Sequence, residues 1–335
     1  MPGIVIVIPV RNRKKYTQNI LTQIYNQTSR LGKSSDFSVV VVDDDSTDGT
    51  KEIVKNSFSA VHLIEADGSL WWAGAIVKGM RYAITNLDAD YVVWLNDDLY
   101  ITENFIANLS TICKSTSYKE TIVGGIVLDT THRDWIVYSG SKARKPISHV
   151  NCFFSSDELE ADVLCGNIVV VPKIIVNKIG FPDAEKLPHH GSDYEYVMRA
   201  KKAGFKVIVS RLLQAETDYT IADFIRYMPY WMQWYLQPNL FKKLEIIKGL
   251  TSRKANQNIW LIVSLHSSNR DLDSIPNWKY LLCYLNKIIR FIVVNFLPKD
   301  YVESRLNDYF KEQNPPQEVI EAVMRQRKGS YSSED

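Results

Sequence analysis

The sequence predicts an α/β fold in which a mostly parallel, Rossmann-like sheet is flanked by helices. Apolar runs of strand length alternate with helical segments through the first hundred of the 335 residues. Regular alternation implies parallel strands joined by right-handed crossovers. Residues 221–335 form a predicted α-helical C-terminal region. The rest of the chain, residues 1–220, is predicted to be one domain with halves at residues 1–100 and 101–220.

The elements of the first hundred residues follow in strand–helix order. The predicted strands are GIVIVIPV (3–10), FSVVVVD (37–43), AVHLIEA (60–66) and DYVVWLND (90–97). The predicted helices run from about Lys14 to Gln27, from a cap at Ser46 or Thr47 to about Asn56, and from Ala73 to Thr85. Asp48 and Glu52 would lie near the positive end of the second helix.

Polar loops follow these strands, at the edge where parallel sheets bind ligands. The loops are PVRNR, DDDSTDGT, DGSLWW and NDDLY, and three of the four are acidic. Adjacent carboxylates repel unless something offsets them. One such cluster alone favours a turn with side-chain to backbone bonds. Two clusters at one edge favour a site for Mg²⁺ or Mn²⁺ and phosphate.

Composition excludes several classes of protein. Forty basic and 38 acidic residues leave a charge of +2, which argues against a nucleic-acid binder driven by overall charge. Four scattered cysteines form no CxxC, which favours a reducing, cytoplasmic compartment over a zinc site. The first apolar stretch is too short for a signal peptide or membrane span. GKSS (32–35) lacks the earlier glycine of a P-loop, and no GxGxxG follows the first strand.

Five motifs in order resemble the inverting family 2 glycosyltransferases, which have the GT-A fold. They are VIPVRNRKK, VVDDDSTDGT, VVWLNDDL, VLCGNIVVVPKIIVNKIGFPD and LPHHGSDYEYVMRAKKAGFKV, within about residues 3 to 210. In particular the sequence resembles bacterial enzymes that add rhamnose or related sugars to surface polysaccharides such as lipopolysaccharide. The resemblance implies a nucleotide-sugar donor, of UDP or dTDP type, and a glycan or lipid-linked acceptor.

The resemblance also implies roles for particular residues. Asp98 would be the metal ligand for Mg²⁺ or Mn²⁺, within the element Asn96-Asp97-Asp98, where Asn96 replaces the usual aspartate. The nucleotide-sugar contacts would come from Pro9, Arg11, Asn12, Asp43, Asp44, Trp72, Lys78, Asn96 and Asp97. Asp45 occupies a position where the family has glycine, and receives no role. Trp71 and Trp72 could equally well form a packed aromatic pair.

On the acceptor side, Asp193 corresponds to the catalytic base of the family. Ser192 and Glu195 also spell a capping box, S-x-x-E, that would open the following helix and leave Asp193 free to face the site. His189 and His190 precede it in a loop that is predicted to be exposed, as acceptor contacts or solvated residues. Asp193 would accept the proton of an acceptor hydroxyl as it attacks the anomeric carbon, so that one displacement inverts the configuration.

Two other functions remain open from the sequence. A sugar-1-phosphate nucleotidyltransferase shares the layout but should have a glycine-rich first loop, and PVRNRKKY has no glycine. A non-catalytic nucleotide-sugar or glycan-binding module is suggested by four departures from the family pattern, at Ile76, Val77, Asn96 and Ser192.

The C-terminal region is basic and rich in aromatic residues. The segment from Leu240 to Lys299 contains ten basic residues and only three acidic ones. Arg270 is among the basic residues, and Asp271 and Asp273 are among the acidic ones. On a helix over 279–297, Lys279, Asn286, Lys287 and Arg290 share a side opposite Leu282, Leu285, Ile289 and Ile292. Such a helix could lie on an anionic membrane surface, at the inner face of the cell membrane. Alternatively, it packs on the catalytic domain or forms a homo-oligomer.

Overall fold

The computed structural model describes residues 3–32, 36–266 and 275–327. They form two compact units, one of Met1–Pro188 and Ser192–Asp218, the other of His189–Gly191 and Tyr219–Asp335. The division after Asp218 lies close to the division predicted at residue 220. Most of the GKSS segment, together with Arg270, Asp271 and Asp273, lies outside the described residues.

The first unit is built on a ten-stranded sheet and a smaller three-stranded one. Its strands are β1 Ile4–Val10, β2 Phe37–Asp43, β3 His62–Glu65, β4 Tyr91–Leu95, β5 Tyr100–Ile101, β6 Thr121–Asp129, β7 Ile136–Tyr138, β8 Gly140–Lys142, β9 Lys145–Pro146, β10 Glu158–Glu160, β11 Val163–Leu164, β12 Ile168–Pro172 and β13 Lys206–Thr217. The main path has the order β10-β13-β6-β12-β4-β1-β2-β3, with β5 beside β13 and β7 beside β6. The small sheet has the order β11-β8-β9.

Six of the eight strands on the main path run in one direction. β1, β2, β3 and β4 are mutually parallel, and β6 and β13 share their direction across the antiparallel strand β12. β10 is antiparallel to β13. The helices of this unit are α1 Lys14–Arg30, α2 Thr50–Ser57, α3 Trp71–Asn86, α4 Phe105–Lys114, α5 Lys173–Ile179 and α6 Ser192–Lys202. The predicted α/β class with a mostly parallel sheet is confirmed.

The sheet is covered on both faces, which explains the uninterrupted apolar runs of its central strands. Alternate residues of β1 point to opposite faces, as in any strand. Ile4, Ile6 and Ile8 enter one apolar cluster, while Val5 and Val7 enter another. Helix α3 approaches β1 closely at Gly79, where a Cβ atom would lie 2.3 Å from Cγ1 of Val7.

All seven elements predicted for the first hundred residues are present, but the predicted cap of α2 is wrong. The residue before α2 is Gly49, with a left-handed φ of 88°. The backbone N–H of Thr50 donates to Asp48 Oδ1 at 3.0 Å. Ser46 and Thr47, the predicted caps, bond instead to the loop after β1 and hold that loop in place.

The second unit is helical in its described part. Its helices are α7 Ile221–Tyr227, α8 Tyr230–Leu236, α9 Leu240–Leu250, α10 Ile259–His266, α11 Asn277–Val293, α12 Lys299–Gln313 and α13 Gln317–Arg327. Tyr230, Leu250, Ile259 and Phe291 form a buried apolar cluster between α8, α9, α10 and α11. Among the residues described, no helix is both long and apolar enough to cross a membrane.

Candidate functional site

Residues 11 and 12, in the loop after β1, join this loop to two neighbouring loops. Arg11 Nη1 donates to the backbone oxygen of Gly68 at 2.7 Å, which ties the loop after β3. Asn12 Oδ1 accepts from the N–H of Thr47 at 2.7 Å, and the Asn12 N–H donates to Ser46 Oγ at 2.8 Å. Both residues were predicted to contact the nucleotide, and the structure shows them positioning the surrounding loops.

Arg13, which was not among the predicted site residues, binds the acidic loop after β4. Its Nη2 atom lies 2.8 Å from Asp98 Oδ2 and 3.1 Å from Asp97 Oδ1. Its Nε donates to Asp97 Oδ1 at 3.1 Å. The sequence did contain a signal for this role. Arg13 follows Arg11 and Asn12 in the loop after β1, which was expected to lie at the same sheet edge as the carboxylates. Arg13 offsets part of the repulsion between the two aspartates.

Asp97 is buried, whereas Asp98 is partly open to solvent. Thr17 Oγ1 also donates to Asp97 Oδ2, at 3.3 Å. Burial raises the pKa of Asp97 to about 6, with Arg13 opposing the rise and the Asp98 charge adding to it. The side chain of Asp98 is 38% exposed, yet its Oδ1 atom is buried and has no hydrogen-bond partner among the described residues. Asp98 therefore retains one uncommitted acceptor.

The two aspartates that end β2 are used differently. Asp43 is 1% exposed, its Oδ1 accepts from the N–H of Ser46 at 2.7 Å, and its Oδ2 is buried without a hydrogen-bond partner in the described chain. Asp44 accepts from the N–H groups of Leu70 and Trp71 at 3.1 and 3.0 Å, one to each oxygen. Asp44 thus holds the start of α3, and Asp43 keeps an oxygen available.

Asp45 has a left-handed backbone, with φ of 63°. Aspartate tolerates this conformation better than most residues, although glycine suits it best. The side chain is exposed. The backbone geometry explains why a glycine would be expected here and why the third aspartate of the run needs no role at the site.

Asn96 and Trp72 meet beside the loop that precedes β12. Trp72 Nε1 donates to Asn96 Oδ1 at 2.9 Å, and the Trp72 ring meets Trp94 edge-on with centroids 5.8 Å apart. A Cβ atom on Gly166 would lie 2.4 Å from the Trp72 ring. The Trp72 ring therefore lies at the site and also packs against Trp94 and Gly166. The aromatic pair is Trp72 with Trp94, and not Trp72 with Trp71.

Asp193 lies in the first turn of α6, where two backbone amides hold its carboxylate. The Gly166 N–H donates to Oδ2 at 2.8 Å, and the Tyr194 N–H donates to Oδ1 at 2.9 Å. The built Cβ of Gly166 lies only 3.3 Å from Asp193 Cβ. Through Gly166 and Trp72, the structure brings Asp193 and Asn96 to one region of the first unit.

The predicted capping box at the start of α6 is wrong. Ser192 is fully buried, and its Oγ has no hydrogen-bond partner in the described part of the chain. Glu195 forms a two-point ion pair with Arg199, at 2.8 and 3.0 Å. Arg199 also binds the backbone oxygen of Phe181 at 2.9 Å. Glu195 points toward Arg199 because an i, i+4 ion pair with an anchored guanidinium competes with the cap.

The remaining residues predicted to contact the donor are Pro9 and Lys78. Pro9 pairs with Val42 in the sheet. Lys78 lies two turns into α3, and its Nζ donates to the backbone oxygen of Glu65 at 3.1 Å. This bond engages Lys78 at the end of β3.

His189 and His190 belong to the second unit and are half-buried, so the prediction of an exposed loop is wrong. Their ring centroids are 4.3 Å apart, and the ring of His190 lies 6.3 Å from that of Tyr227. Burial lowers the pKa of both, that of His190 to about 3. Burial therefore favours the neutral form of both rings.

The donor set at this edge can accommodate a divalent cation through one protein ligand. In the described residues, no group of three histidine, cysteine or acidic side chains could hold a metal. Asp98 Oδ1 is a buried carboxylate oxygen without a partner. Mg²⁺ and Mn²⁺ are commonly bound by one or two carboxylates with water and substrate phosphates completing the shell. Asp98 fits that pattern, and Asp97 does not, because Arg13 and Thr17 occupy its oxygens.

Comparison with known proteins points in one direction. Residues 5–118, about a third of the chain, match the glycosyl transferase family 2 model. The chain is 34% identical over 95 residues to the low-salt glycan biosynthesis hexosyltransferase Agl10 of Haloferax volcanii, which covers 28% of this chain and 30% of that protein. The chain thus spans less than a third of that relative.

Two solved structures resemble the fold. The mannosyltransferase PcManGT from Pyrobaculum calidifontis, in complex with GDP-Man and Mn²⁺, aligns with a TM-score of 0.52 at 14% identity, over 98% of this chain and 86% of that one. GalNAc-T7 with UDP, GalNAc and Mn²⁺ aligns with a TM-score of 0.51 at 13% identity, over 80% and 58%. The fold is of the GT-A type, and residues 5–118, which include the Arg13, Asp43 and Asp98 loops, carry the glycosyl transferase family 2 match.

Proposed function

We propose that this chain is an inverting glycosyltransferase that moves a hexose-type sugar from a nucleotide-diphosphate sugar to an acceptor hydroxyl. One observation carries the proposal. The loops after β1, β2 and β4 are tied together, and within them Asp43 and Asp98 each keep a buried oxygen without a hydrogen-bond partner in the described chain. Buried acceptors are ordinarily satisfied. A ligand that brings N–H donors and a cation would satisfy both.

The donor is proposed to be of UDP or dTDP type. Asp43 Oδ2 is a suitable acceptor for the N3–H of uracil or thymine. The related structures contain GDP-mannose in one case and UDP in the other, so a guanine donor also belongs in the test. Arg11 and Asn12 maintain the loops around that base, since each holds a neighbouring backbone segment.

Asp193 is the proposed general base. Backbone amides donate to both of its oxygens, which fixes the plane of the carboxylate. The acceptor hydroxyl gives its proton to Asp193 as its oxygen forms the bond to the anomeric carbon. The bond to the diphosphate oxygen breaks on the opposite side. A single displacement of this kind inverts the anomeric configuration.

The negative charge on the departing diphosphate would be balanced by positive groups at the loop after β4. A divalent cation, Mg²⁺ or Mn²⁺, held by Asp98 would stabilise that charge when bound. Arg13 adds a guanidinium that is already held by Asp97, which keeps it oriented in the absence of substrate. Asn96 is fixed by Trp72 and maintains the shape of the loop beside Asp193.

We further propose a glycan or lipid-linked acceptor and a place in bacterial surface-polysaccharide synthesis, in the cytoplasm or at the inner face of the cell membrane. The motif resemblance to rhamnosyltransferase-like enzymes supports the polysaccharide role. Free Cys113, Cys152, Cys165 and Cys283 are consistent with a reducing compartment.

The test is donor-dependent stabilisation followed by turnover. The melting temperature is measured with Mn²⁺ and UDP-, dTDP- or GDP-sugars, because a ligand that binds the folded state raises it. Release of the nucleoside diphosphate is then measured with and without candidate acceptors. We expect one nucleotide class to stabilise the protein and to be released. Stabilisation without any turnover would favour the binding-module alternative, and pyrophosphate release from sugar-1-phosphate and nucleotide would favour the nucleotidyltransferase.

A further inference from the structure

Helix α11 exposes its most apolar side. Trp278, Leu281, Leu282, Leu285, Ile289 and Ile292, here called the α11 stripe, are 45 to 58% exposed. Their spacing of three and four residues places them along one side of the helix. Large exposed apolar patches mark sites of association with a protein or a membrane.

The other side of α11 packs within the second unit. Phe291 stacks on Trp234 of α8 with ring centroids 4.9 Å apart and an interplanar angle of 4°. Cys283, Tyr284 and Ile288 pack on the same cluster. Within the second unit, the aromatic side of α11 is thus packed, whereas its leucine and isoleucine side is exposed. Lys287, expected on a solvated side, is half-buried.

Helix α9 adds a second exposed apolar segment beside the same tryptophan. Leu240, Phe241 and Leu244 are 75, 80 and 53% exposed. The ammonium group of Lys243 lies 5.0 Å from the centroid of the Trp234 ring. Both helices thus pack on Trp234 and leave apolar side chains in solvent.

The positive charge of α9 and α11 indicates a partner with a negatively charged surface. Residues 240–250 and 277–293 contain six basic side chains and one acidic one, Glu245. The basic residues are Lys242, Lys243, Lys248, Lys279, Lys287 and Arg290. A second copy of this chain placed on the same face would bring like charges together. An anionic lipid surface offers apolar depth and negative headgroups at once.

We propose that α11, assisted by the exposed end of α9, lies in the interface of an anionic lipid membrane with the α11 stripe buried among the acyl chains. The proposal supplies a partner for the proposed transferase and would bring it to lipid-linked acceptors. Membrane binding by these two helices does not require turnover, so it can be measured without activity.

The test is co-sedimentation of the full-length protein with vesicles of phosphatidylcholine, with or without phosphatidylglycerol. We expect binding to the anionic vesicles that weakens at high salt. The double variant Leu285→Ser/Ile289→Ser should reduce vesicle affinity at least ~10-fold, since two apolar side chains no longer enter the acyl region. Lys279→Glu/Arg290→Glu should weaken binding at low salt. Ile174→Ser, which removes a 47% exposed apolar side chain of α5 in the first unit, is the matched control and should bind as wild type.

Three results would overturn the proposal. The first is equal binding of the wild type to neutral and anionic vesicles. The second is unchanged vesicle binding by Leu285→Ser/Ile289→Ser. The third is a wild-type protein that binds no vesicles and is a dimer, while Leu285→Ser/Ile289→Ser is a monomer. The last result would assign the α11 stripe to self-association. Donor-induced stabilisation, measured in parallel on every variant, reports on the proposed transferase separately. Circular dichroism and melting temperature confirm that each variant is folded.

Discussion

Arg13 Nη2 lies 2.8 Å from Asp98 Oδ2, so the carboxylate proposed to bind a metal already has a cationic partner. A divalent ion at this site would share Asp98 with the guanidinium. Arg13 also contacts Asp97. Its guanidinium carbon lies 4.5 Å from the centroid of the Tyr16 ring. The positive charge at this edge is therefore built into the fold, and a metal would add to it.

Removing the guanidinium should destabilise the protein in a pH-dependent way. Arg13→Met leaves the buried Asp97 charge without its main counter-ion, so we expect a loss of about 2 kcal/mol in the free energy of unfolding at pH 8. The loss should shrink at pH 5, where Asp97 is largely protonated. Denaturant unfolding at the two pH values measures it. Arg211→Met, at an exposed ion pair with Asp157, is the control and should cost little at either pH.

Asp97 should produce a slope of its own in stability against pH. Its pKa is raised by burial to about 6, from an ordinary value of 3.8. Between these values the folded chain holds a proton that the unfolded chain has lost, so the free energy of unfolding falls as pH rises. The complete effect is about 3 kcal/mol, reached above pH 6. Relative to wild type, Asp97→Asn should become progressively more stable from pH 4 to 7. A constant difference would contradict the burial of an ionisable Asp97.

Asp193→Asn should abolish most turnover without loss of donor binding. The amide preserves size but cannot accept the acceptor proton, and loss of a general base typically costs ~10²-fold or more. Turnover and donor-induced melting shift are measured side by side. Asp162→Asn, at an ion pair with Lys201 in the same unit, is the control. Near-normal turnover in Asp193→Asn would remove this residue from the mechanism.

Metal dependence should be lost with Asp98. We expect EDTA to inactivate the wild type and Mn²⁺ or Mg²⁺ to restore it. Asp98→Ala should lose both the activity and the Mn²⁺-dependent part of the melting shift with nucleotide. Asp88→Ala, at an exposed ion pair with Lys173, is the control. If EDTA leaves the wild type fully active, Arg13 and not a metal provides the counter-charge.

Gly166 should tolerate no side chain while Trp72 is present. A Cβ atom there would lie 2.4 Å from the indole ring, so Gly166→Ala must displace Trp72 and break its bond to Asn96. We expect a loss of about 1–3 kcal/mol in unfolding free energy, the usual range for overpacking, and reduced turnover. In a double variant that also carries Trp72→Phe, the smaller ring should make Gly166→Ala less costly. Equal cost of Gly166→Ala in both backgrounds would show that the clash is not with Trp72.

The sequence alone determined the first four strands, β1 to β4, and the edge where polar loops gather. Runs such as Val39 to Val42 are buried on both faces of a parallel sheet, and burial is a local property that composition reveals. The same pattern placed Asp43 and Asp98 at one edge of the sheet, after β2 and β4, the two strands that flank β1. It also located the basic, apolar segment that forms α11.

Only the tertiary structure decided how each polar group is used. Arg13 and Asp97 are 84 residues apart, and no local pattern links them. In the sequence Asp44 is indistinguishable from Asp43, but in the structure its carboxylate accepts from backbone amides at the start of α3. Glu195 fits a capping pattern in the sequence, but in the structure it forms an ion pair with Arg199. Likewise, the outward side of α11 depended on Phe291 packing against Trp234. Hydrogen bonds and ring contacts depend on partners that the fold brings together, whereas strands and helices depend on the spacing of apolar residues along the chain.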